Sequence, residues 1–421
     1  MNISDLAKLI GAEYNGKNIK FSSIKTNTKE LSKNDIFIAI DKGHNYLDTI
    51  KKCRGVIVNN DFETTKFPVL RVDDTKESLE IIALYKRSKF KGKVIAITGS
   101  NGKTTTKELL SHVLKTKYKV FKSKENMNNN LGLLINMLSL DNYQYAIFEL
   151  GMNHKGEISE LSKLVKPDIG LITNIGTAHI GNLGSKKDIY DAKLEIIDGM
   201  NNINLIVNGM DKYLKKCKLG IPIFMKNSLF EISNIKENIN YVEFDLKIDK
   251  CYHIKYHVPS IMHLTNVILV IYVSLILKIK ASKIAKSLNN FKCVKSRMEV
   301  IKLKDKIIIN DSYNSNYESL IAGITSLKNY PLDKICIIGA ILELGSKENY
   351  IYEKISRNLN KDYFYIFIGN NIKAPNAIYL DNVDSLINYY YLNKELFFNK
   401  VIYVKGSHAI NLLKFVDEIR K

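Results

Sequence analysis

The chain has 421 residues, 45% of them hydrophobic, enough to bury the cores of about two to four domains and to exclude wholesale disorder. Its 63 basic and 43 acidic residues leave a formal charge of +20, with lysines spread along the whole length; this reads as a solvated surface that favours phosphate-bearing ligands, not as a nucleic-acid stripe. Five cysteines with no Cys-x-x-Cys pair exclude a disulfide framework and a zinc site, and suit the reducing cytoplasm.

The opening "MNISDLAKLIG" predicts a short helix, with Ser4 as N-cap and Gly11 just past its end, and no secretory signal. Short strands follow at "DIFIAI" (35–40), "GVIVNN" (55–60) and "PVLRV" (68–72), and a helix begins at Thr75. These form a first unit, 1–90. A second unit, 91–297, alternates the apolar strands "KVIAIT", "YAIFELG", "IGLITNIG" and "NLIVNG" with helical segments, the pattern of a mostly parallel sheet covered on both faces. Around 239–257 polar and apolar residues alternate, which predicts antiparallel strands at an edge. The run "VILVIYVSLIL" is only eleven residues long, too short for a bilayer span of ~20, so 265–277 is expected to be a buried helix. A further helix is expected at 282–289, and the joint to the third unit at 290–299. That unit, 298–421, again alternates strands ("KIIIND", "KICIIGA", "YFYIFIG", "NAIYL", "KVIYVKGS") with helices, as a doubly wound, Rossmann-like domain does. The expected class is α/β with three domains: a small α/β N-terminal domain, a central sheet of P-loop type, and the doubly wound C-terminal domain.

The stretch "TGSNGKTT" joins a strand ending at Thr98 to a helix beginning near Thr104. Gly99 and Gly102 free the backbone, so the amides of Ser100, Asn101, Lys103 and Thr104 are expected to point inward as an anion nest at a helix N-terminus, with Thr105 just behind. Lys103 would reach the β- and γ-phosphates, and the Thr104 hydroxyl would ligate Mg²⁺. The general pattern GxxxxGK[ST] is shortened here, because Ile97 stands where its first glycine would be. Glu149 ends one strand, His179 lies just past another, and Lys193 sits on a helix that starts after Ser185. Ligands of doubly wound sheets lie at the carboxyl ends of strands, which puts Glu149 and His179 on the rim that carries the glycine turn.

Together with "ELGMNHKGEI", "PDIGLITNIGTAHIGNLGS", "NDSYNSN" and "ILELG", these residues make a pattern that resembles the Mur ligase family, ATP-dependent amide-forming enzymes of peptidoglycan precursor synthesis. The segments look most like the members that add D-alanyl-D-alanine to UDP-N-acetylmuramoyl-tripeptide through an acyl phosphate. The resemblance implies ATP and two Mg²⁺ ions as cofactors, with Thr104, Glu149, His179 and a carbamylated Lys193 around the metals and Lys103 and Lys405 at the reacting groups. It assigns His263, Asn266, Arg297, Asp311, Asn314 and Asn316 to ATP, and Thr28, Lys29, Gly43, His44, Asn126, Asn128 and Asn129 to the substrates. A monomer is expected, and the spread of lysines and the short apolar run predict no nucleic-acid partner and no membrane span.

The chain departs from the family pattern at several binding positions. Asn27, Thr28 and Lys29 stand where Asp-Ser-Arg is usual, and a lysine does not reproduce an arginine fork. Met262 and His263 replace His-Asn, Ala340 replaces an Asp, and His408 replaces an Arg. The pattern therefore leaves open another amide ligase of the superfamily, of folylpolyglutamate synthetase type or with an altered dipeptide acceptor, and a non-catalytic ATP-binding paralogue.

Overall fold

A computed structural model of the protein describes residues 1–14, 16–62, 66–124 and 126–420. The first helix runs Ile3–Ile10 and buries Ile3, Leu6, Ala7 and Ile10. Its N-cap is Asn2, not the expected Ser4, because the Asp5 carboxylate reaches back to accept from the Asn2 amide at 3.1 Å. Gly11 ends it with φ 64°, as expected. Behind it lies a four-stranded parallel sheet in the order Ile24–Lys25, Ile36–Ile38, Gly55–Asn59, Val69–Val72. The first of these strands is too short to show in a hydrophobic pattern and was not expected. The helix Thr75–Lys89, capped by the Asp74 carboxylate on the Lys76 amide, leads out of this lobe.

The central sheet has six parallel strands in the order Gly220–Ile223, Leu205–Asn208, Ile169–Ile172, Lys93–Thr98, Tyr145–Glu149, Val120–Lys122. Val94, Ile95, Ala96 and Ile97 are all fully buried, so the continuous apolar run reflects cover on both faces. The chain passes from Lys93–Thr98 to Val120–Lys122 on one side and then crosses from Tyr145–Glu149 to Ile169–Ile172 on the other, so a crevice opens at the carboxyl end of Lys93–Thr98.

The alternating segment is not an edge of this sheet. It belongs to a separate three-stranded antiparallel sheet, Glu231–Glu237, Val242–Lys247 and Cys251–Tyr256. Val242, Phe244 and Leu246 turn inward and share a core with the helices Leu264–Ile276 and Ala281–Asn290, while the polar positions between them stay wetter. The helix Leu264–Ile276 is buried along most of its length, and no helix among the described residues is long and apolar enough to cross a membrane.

The third lobe carries a six-stranded sheet in the order Glu299–Lys302, Lys306–Asn310, Lys400–Lys405, Lys334–Gly339, Phe364–Ile368, Ala377–Leu380. All pairs are parallel except the first, an antiparallel edge that the sequence reading did not include. The last strand of the chain inserts beside Lys306–Asn310, which sets Lys405 next to the turn that carries Asp311. Between the second and third lobes, Ser296 (φ 58°) and Met298 (φ 59°) hold left-handed backbone on either side of Arg297.

Candidate active site

The glycine turn is built on the strand Lys93–Thr98 and the helix Lys103–Leu114. Gly99 has φ 148°, and a Cβ there would lie 1.9 Å from Thr173 Oγ1; Gly102 has φ 79° and opens the helix. The nest is narrower than expected. Ser100 N donates to Asn174 O (3.0 Å) and Asn101 N to Asn174 Oδ1 (2.8 Å), so those two amides are already paired. The first amides of the helix, from Lys103 to Thr105, have no protein acceptor among the described residues and remain for an anion. Lys103 is half-buried and donates to Gly99 O at 2.7 Å. Burial lowers its pKa, with Arg297 adding to the effect, against the pull of Glu149.

Glu149, at the end of the neighbouring strand, is the acidic centre of the crevice. Its Oε2 accepts from the Thr104 hydroxyl at 2.7 Å and its Oε1 from Asn128 Nδ2 at 3.0 Å. Burial alone would raise its pKa; Lys103, Lys107, Arg297 and the Thr104 hydroxyl outweigh it and hold the carboxyl below its ordinary range. Lys107 is fully buried, donates to Ser123 O at 2.8 Å and lies 3.8 Å from Glu149 Oε2. Among the described residues no group of three or more His, Cys, Asp or Glu is gathered to hold a metal. Thr104 Oγ1 and Glu149 Oε2 do fit a hard cation that takes the rest of its oxygens from phosphate and water, as Mg²⁺ usually does.

A cavity of about 1210 Å³ runs along this rim and is lined from all three lobes. Lys103, Thr104, Glu149, His179, His263, Asn266, Arg297, Asp311, Asn314, Asn316 and Lys405 line it, as do Asn128 and Asn129. Lys193 is not among the lining residues. It is buried, on the helix Lys186–Leu194 that Ser185 caps, and has no hydrogen bond or ion pair among the described residues. Burial, with repulsion from Lys103, pushes its pKa well below the usual lysine range.

Several expected ligand groups face each other across the lobes. Arg297 donates to the Thr104 hydroxyl at 2.8 Å, and its guanidinium sits 3.8 Å from the Tyr313 ring centroid. Tyr313 also donates to Asn126 Oδ1 and meets the His408 ring edge-on at 5.7 Å. Asn101 and Asn316 exchange amide hydrogen bonds at 3.2 and 2.7 Å, while Asn316 caps the helix Tyr317–Ser326. Asp311 and Lys405 are paired with each other at 2.5 Å, and Tyr403 and the Met298 amide also donate to Asp311. His179 has its Nδ1 2.5 Å from Glu343 Oε2. Glu318 accepts from Thr177 N (2.9 Å) and Oγ1 (2.8 Å) and pairs with Lys186 at 2.7 Å. The His263 Nδ1 and Asn266 Oδ1 atoms are buried without a hydrogen-bond partner, and burial pushes the His263 imidazole down to about 4.

The first-lobe residues fall elsewhere. Thr28, Lys29, Gly43 and His44 do not line the cavity; Asp41, Asp74, Lys76, Glu77 and Glu80 do. Thr28 and Lys29 lie in a 3₁₀ turn capped by Asn27. His44 is buried, with both ring nitrogens engaged by Asp41 O (3.0 Å) and Asn59 N (3.2 Å) and its face stacked on Phe62. Asn129 caps the helix Asn130–Met137 through Gly132 N at 2.9 Å. The reading missed Lys107, Asn174, Tyr313, Glu318 and Glu343. Tyr313 and Glu318 lie in or beside the Asn-rich cap "NDSYNSNYESL", and Asn174 and Glu343 lie within "PDIGLITNIGTAHIGNLGS" and "ILELG"; Lys107 carried no motif and acts through distant contacts.

Comparison with known proteins places the chain in a family. Residues 97–274 match the Mur ligase middle domain, and 296–406 match the Mur ligase, glutamate ligase domain. The UDP-N-acetylmuramoyl-tripeptide–D-alanyl-D-alanine ligase of Rickettsia prowazekii is 34% identical over 99% of both chains. The Bacillus subtilis enzyme of the same name is 30% identical over 86% of this chain and 82% of its own. In fold, the chain is similar to a MurF crystal structure from Acinetobacter baumannii (TM-score 0.84, 24% identity, 99% of this chain and 98% of that one). It is also similar to the Thermotoga maritima MurF ligase in complex with ADP (TM-score 0.80, 24% identity, 95% and 98%). A chain this alike over its full length, with the phosphate turn and its buried glutamate at the rim of the middle sheet, belongs to the Mur ligase family, among the UDP-N-acetylmuramoyl-tripeptide–D-alanyl-D-alanine ligases.

Proposed function

We propose that this chain is an ATP-dependent ligase that joins D-alanyl-D-alanine to UDP-N-acetylmuramoyl-tripeptide in peptidoglycan precursor synthesis, releasing ADP and phosphate. The observation that carries the reading is the meeting of the phosphate turn and Glu149 with Arg297 and Asn316 over one cavity. The tripeptide carboxylate takes the γ-phosphoryl group of ATP, the dipeptide amine attacks the acyl phosphate, and phosphate leaves. This gathers several negative charges in one place. Lys103 and the helix amides receive the phosphates, and Arg297 turns from Thr104 to the same anions. Thr104 and Glu149 would hold Mg²⁺, which would supply charge neutralisation on the phosphates. Lys405 is pre-aimed by Asp311, whose other acceptor capacity serves the ribose hydroxyls. Closure of the three lobes keeps water from the acyl phosphate.

In this reading residues 1–90 hold the UDP-sugar end, 91–297 bind ATP, and 298–421 close the site and bring the acceptor. The enzyme works in the cytoplasm as a monomer. The neutral amine of Lys193 would take up CO₂ with loss of one proton, and the resulting carbamate would help His179 hold a second cation. Lys193→Ala is then expected to lose activity and regain part of it with a short-chain carboxylate in the buffer; rescue absent while other sites stay intact removes the carbamate. The main test is ADP release from ATP with the UDP-muramoyl tripeptide, with and without D-alanyl-D-alanine. Dependence on both substrates is expected, and ADP release indifferent to the dipeptide overturns the reading.

A further inference from the structure

We propose that the outer edge of the middle sheet, from Leu219 to Leu229 with the lysines that lead into it, is a peripheral docking face for a bilayer surface bearing anionic phospholipid headgroups. The strand Gly220–Ile223 ends its sheet and, among the described residues, pairs only with Leu205–Asn208. Leu219, Ile221, Phe224 and Leu229 stand 38–47% exposed along this edge. Ile221 pairs with Ile206, whose side chain lies in the core shared with the helix Leu264–Ile276, yet Ile221 itself stays half exposed. Past the strand, Asn227 ties the loop: its Nδ2 donates to Phe224 O (3.1 Å) and its Oδ1 accepts from Leu229 N (2.9 Å), which holds those two residues close together. Exposed apolar residues gathered in this way mark a contact surface.

Charge decides the partner. Residues 199–230 carry five lysines and one acidic residue, Asp211, whose carboxylate is spent on the amides of Ile175, Tyr213 and Leu214. Lys212, Lys215, Lys216 and Lys218 are exposed and form no ion pair among the described residues; Lys226 is matched by Glu231. Apolar tips with ammonium groups at their margin suit an anionic interface, where the tips enter the acyl boundary and the lysine stems stretch to the headgroups. Other occupants fit less well. Ile223 O accepts from Gly209 N (2.8 Å), so the backbone groups turned outward are those of Gly220 and Pro222, and Pro222 has no N–H to offer an added strand. A second copy would bring the same unpaired lysines against these. Protein interfaces favour Arg, Tyr and Trp over Lys, and here every basic residue is a lysine. None of these apolar residues or lysines lines the cavity described above, so docking leaves its walls untouched.

The test is co-sedimentation of the full chain, at 0.15 M salt in order to screen distant charges, with vesicles of phosphatidylcholine alone or with about one quarter phosphatidylglycerol. Vesicle binding needs neither ATP nor substrate, so its outcome is independent of the ligase reading. The anionic vesicles are expected to bind at least about tenfold more tightly than the neutral ones. The variant Lys215→Glu, Lys216→Glu, Lys218→Glu is expected to lose at least about tenfold. The variant Lys33→Glu, Lys51→Glu, Lys52→Glu changes the net charge equally on exposed positions of the first lobe and is expected to stay within about twofold of the wild type. Leu219→Ser with Ile221→Ser is expected to weaken binding at least about fivefold. The chain contains no Trp, so Phe224→Trp supplies a single reporter, expected to shift to shorter wavelength on anionic vesicles while the exposed Tyr350→Trp does not. No binding to anionic vesicles overturns the proposal, as does an equal loss in the first-lobe variant or an equal shift at position 350. Self-association through this edge without vesicle binding overturns it in favour of a second copy.

Discussion

Lys107 lies fully buried beneath Glu149, where Ser123 O accepts a hydrogen bond from its ammonium and two glutamates stand close by. Removing it leaves the buried Glu149 with one counter-charge fewer. Lys107→Met is expected to cost about 3 kcal/mol of stability, read from urea unfolding; a loss under about 0.5 kcal/mol would mean that Lys103 and Arg297 suffice. His263 offers a cleaner pH test. Its folded-state pKa is about 4, against about 6.5 in an unfolded chain. The unfolded state therefore binds the proton more readily, and the contribution of the neutral ring is complete above pH ~6.5 and is lost as the pH falls toward ~4. The loss should reach about 3 kcal/mol, visible as a fall in urea midpoint across that window that His263→Asn does not share. Neither effect was legible in the chain. "KTTTKELL" shows a helix but not that its second lysine faces a carboxylate, and "SIMHLTN" shows a helix start but not a dry one.

At the scale of elements, the phosphate turn was the most legible part, because strand, glycines, Lys-Thr and helix stand together within a short stretch. What the stretch hides is that Asn174, on the neighbouring connection, has taken the Ser100 and Asn101 amides. The turn tolerates no added side chain: Gly99→Ala would drive a methyl against Thr173 Oγ1. That variant is expected to bind ADP at least about tenfold more weakly by calorimetry while keeping its fold, since the strain stays in one loop; undiminished binding would show that the loop can re-form. The long helices and apolar strands were equally readable from periodicity and length. Five strands escaped, Ile24–Lys25, Val120–Lys122, Gly220–Ile223, Glu231–Glu237 and the antiparallel edge Glu299–Lys302, because pairing partners and not local pattern define them. The alternation near 242–256 was read correctly as half-buried strand, but the sheet it joins depends on the helix that covers it.

Over the whole molecule, the contacts that seat the third lobe fall on the residues that the chemistry uses. Tyr313, Asn316, Glu318 and Glu343 each bridge to the middle lobe, Arg297 at the joint reaches Thr104, and only a folded chain brings them there. Glu318 is the most enclosed carboxylate among the contacts from the third lobe. Burial would raise its pKa, but Lys186 and the Thr177 donors hold it below the ordinary value. Its contribution to seating is therefore full at neutral pH and is lost as the pH falls through the carboxylate range. Glu318→Ala is expected to weaken seating by about 2 kcal/mol and to enlarge the radius of gyration in small-angle scattering of the nucleotide-free protein; an unchanged profile would put the closing force elsewhere. The first lobe was the least readable in function. His44, singled out for substrate, is consumed by Asp41, Asn59 and Phe62, while the residues that reach the cavity carry no motif.

The pair formed by Asn101 and Asn316 has a consequence of its own. Two neutral amides, not opposite charges, tie the phosphate loop to the lobe above it. Mobile ions in the surrounding fluid screen Glu318 and Lys186 but have nothing to screen here. A cell that concentrates its salts under osmotic stress would loosen the outer clasp of the enzyme and leave this inner one as it was.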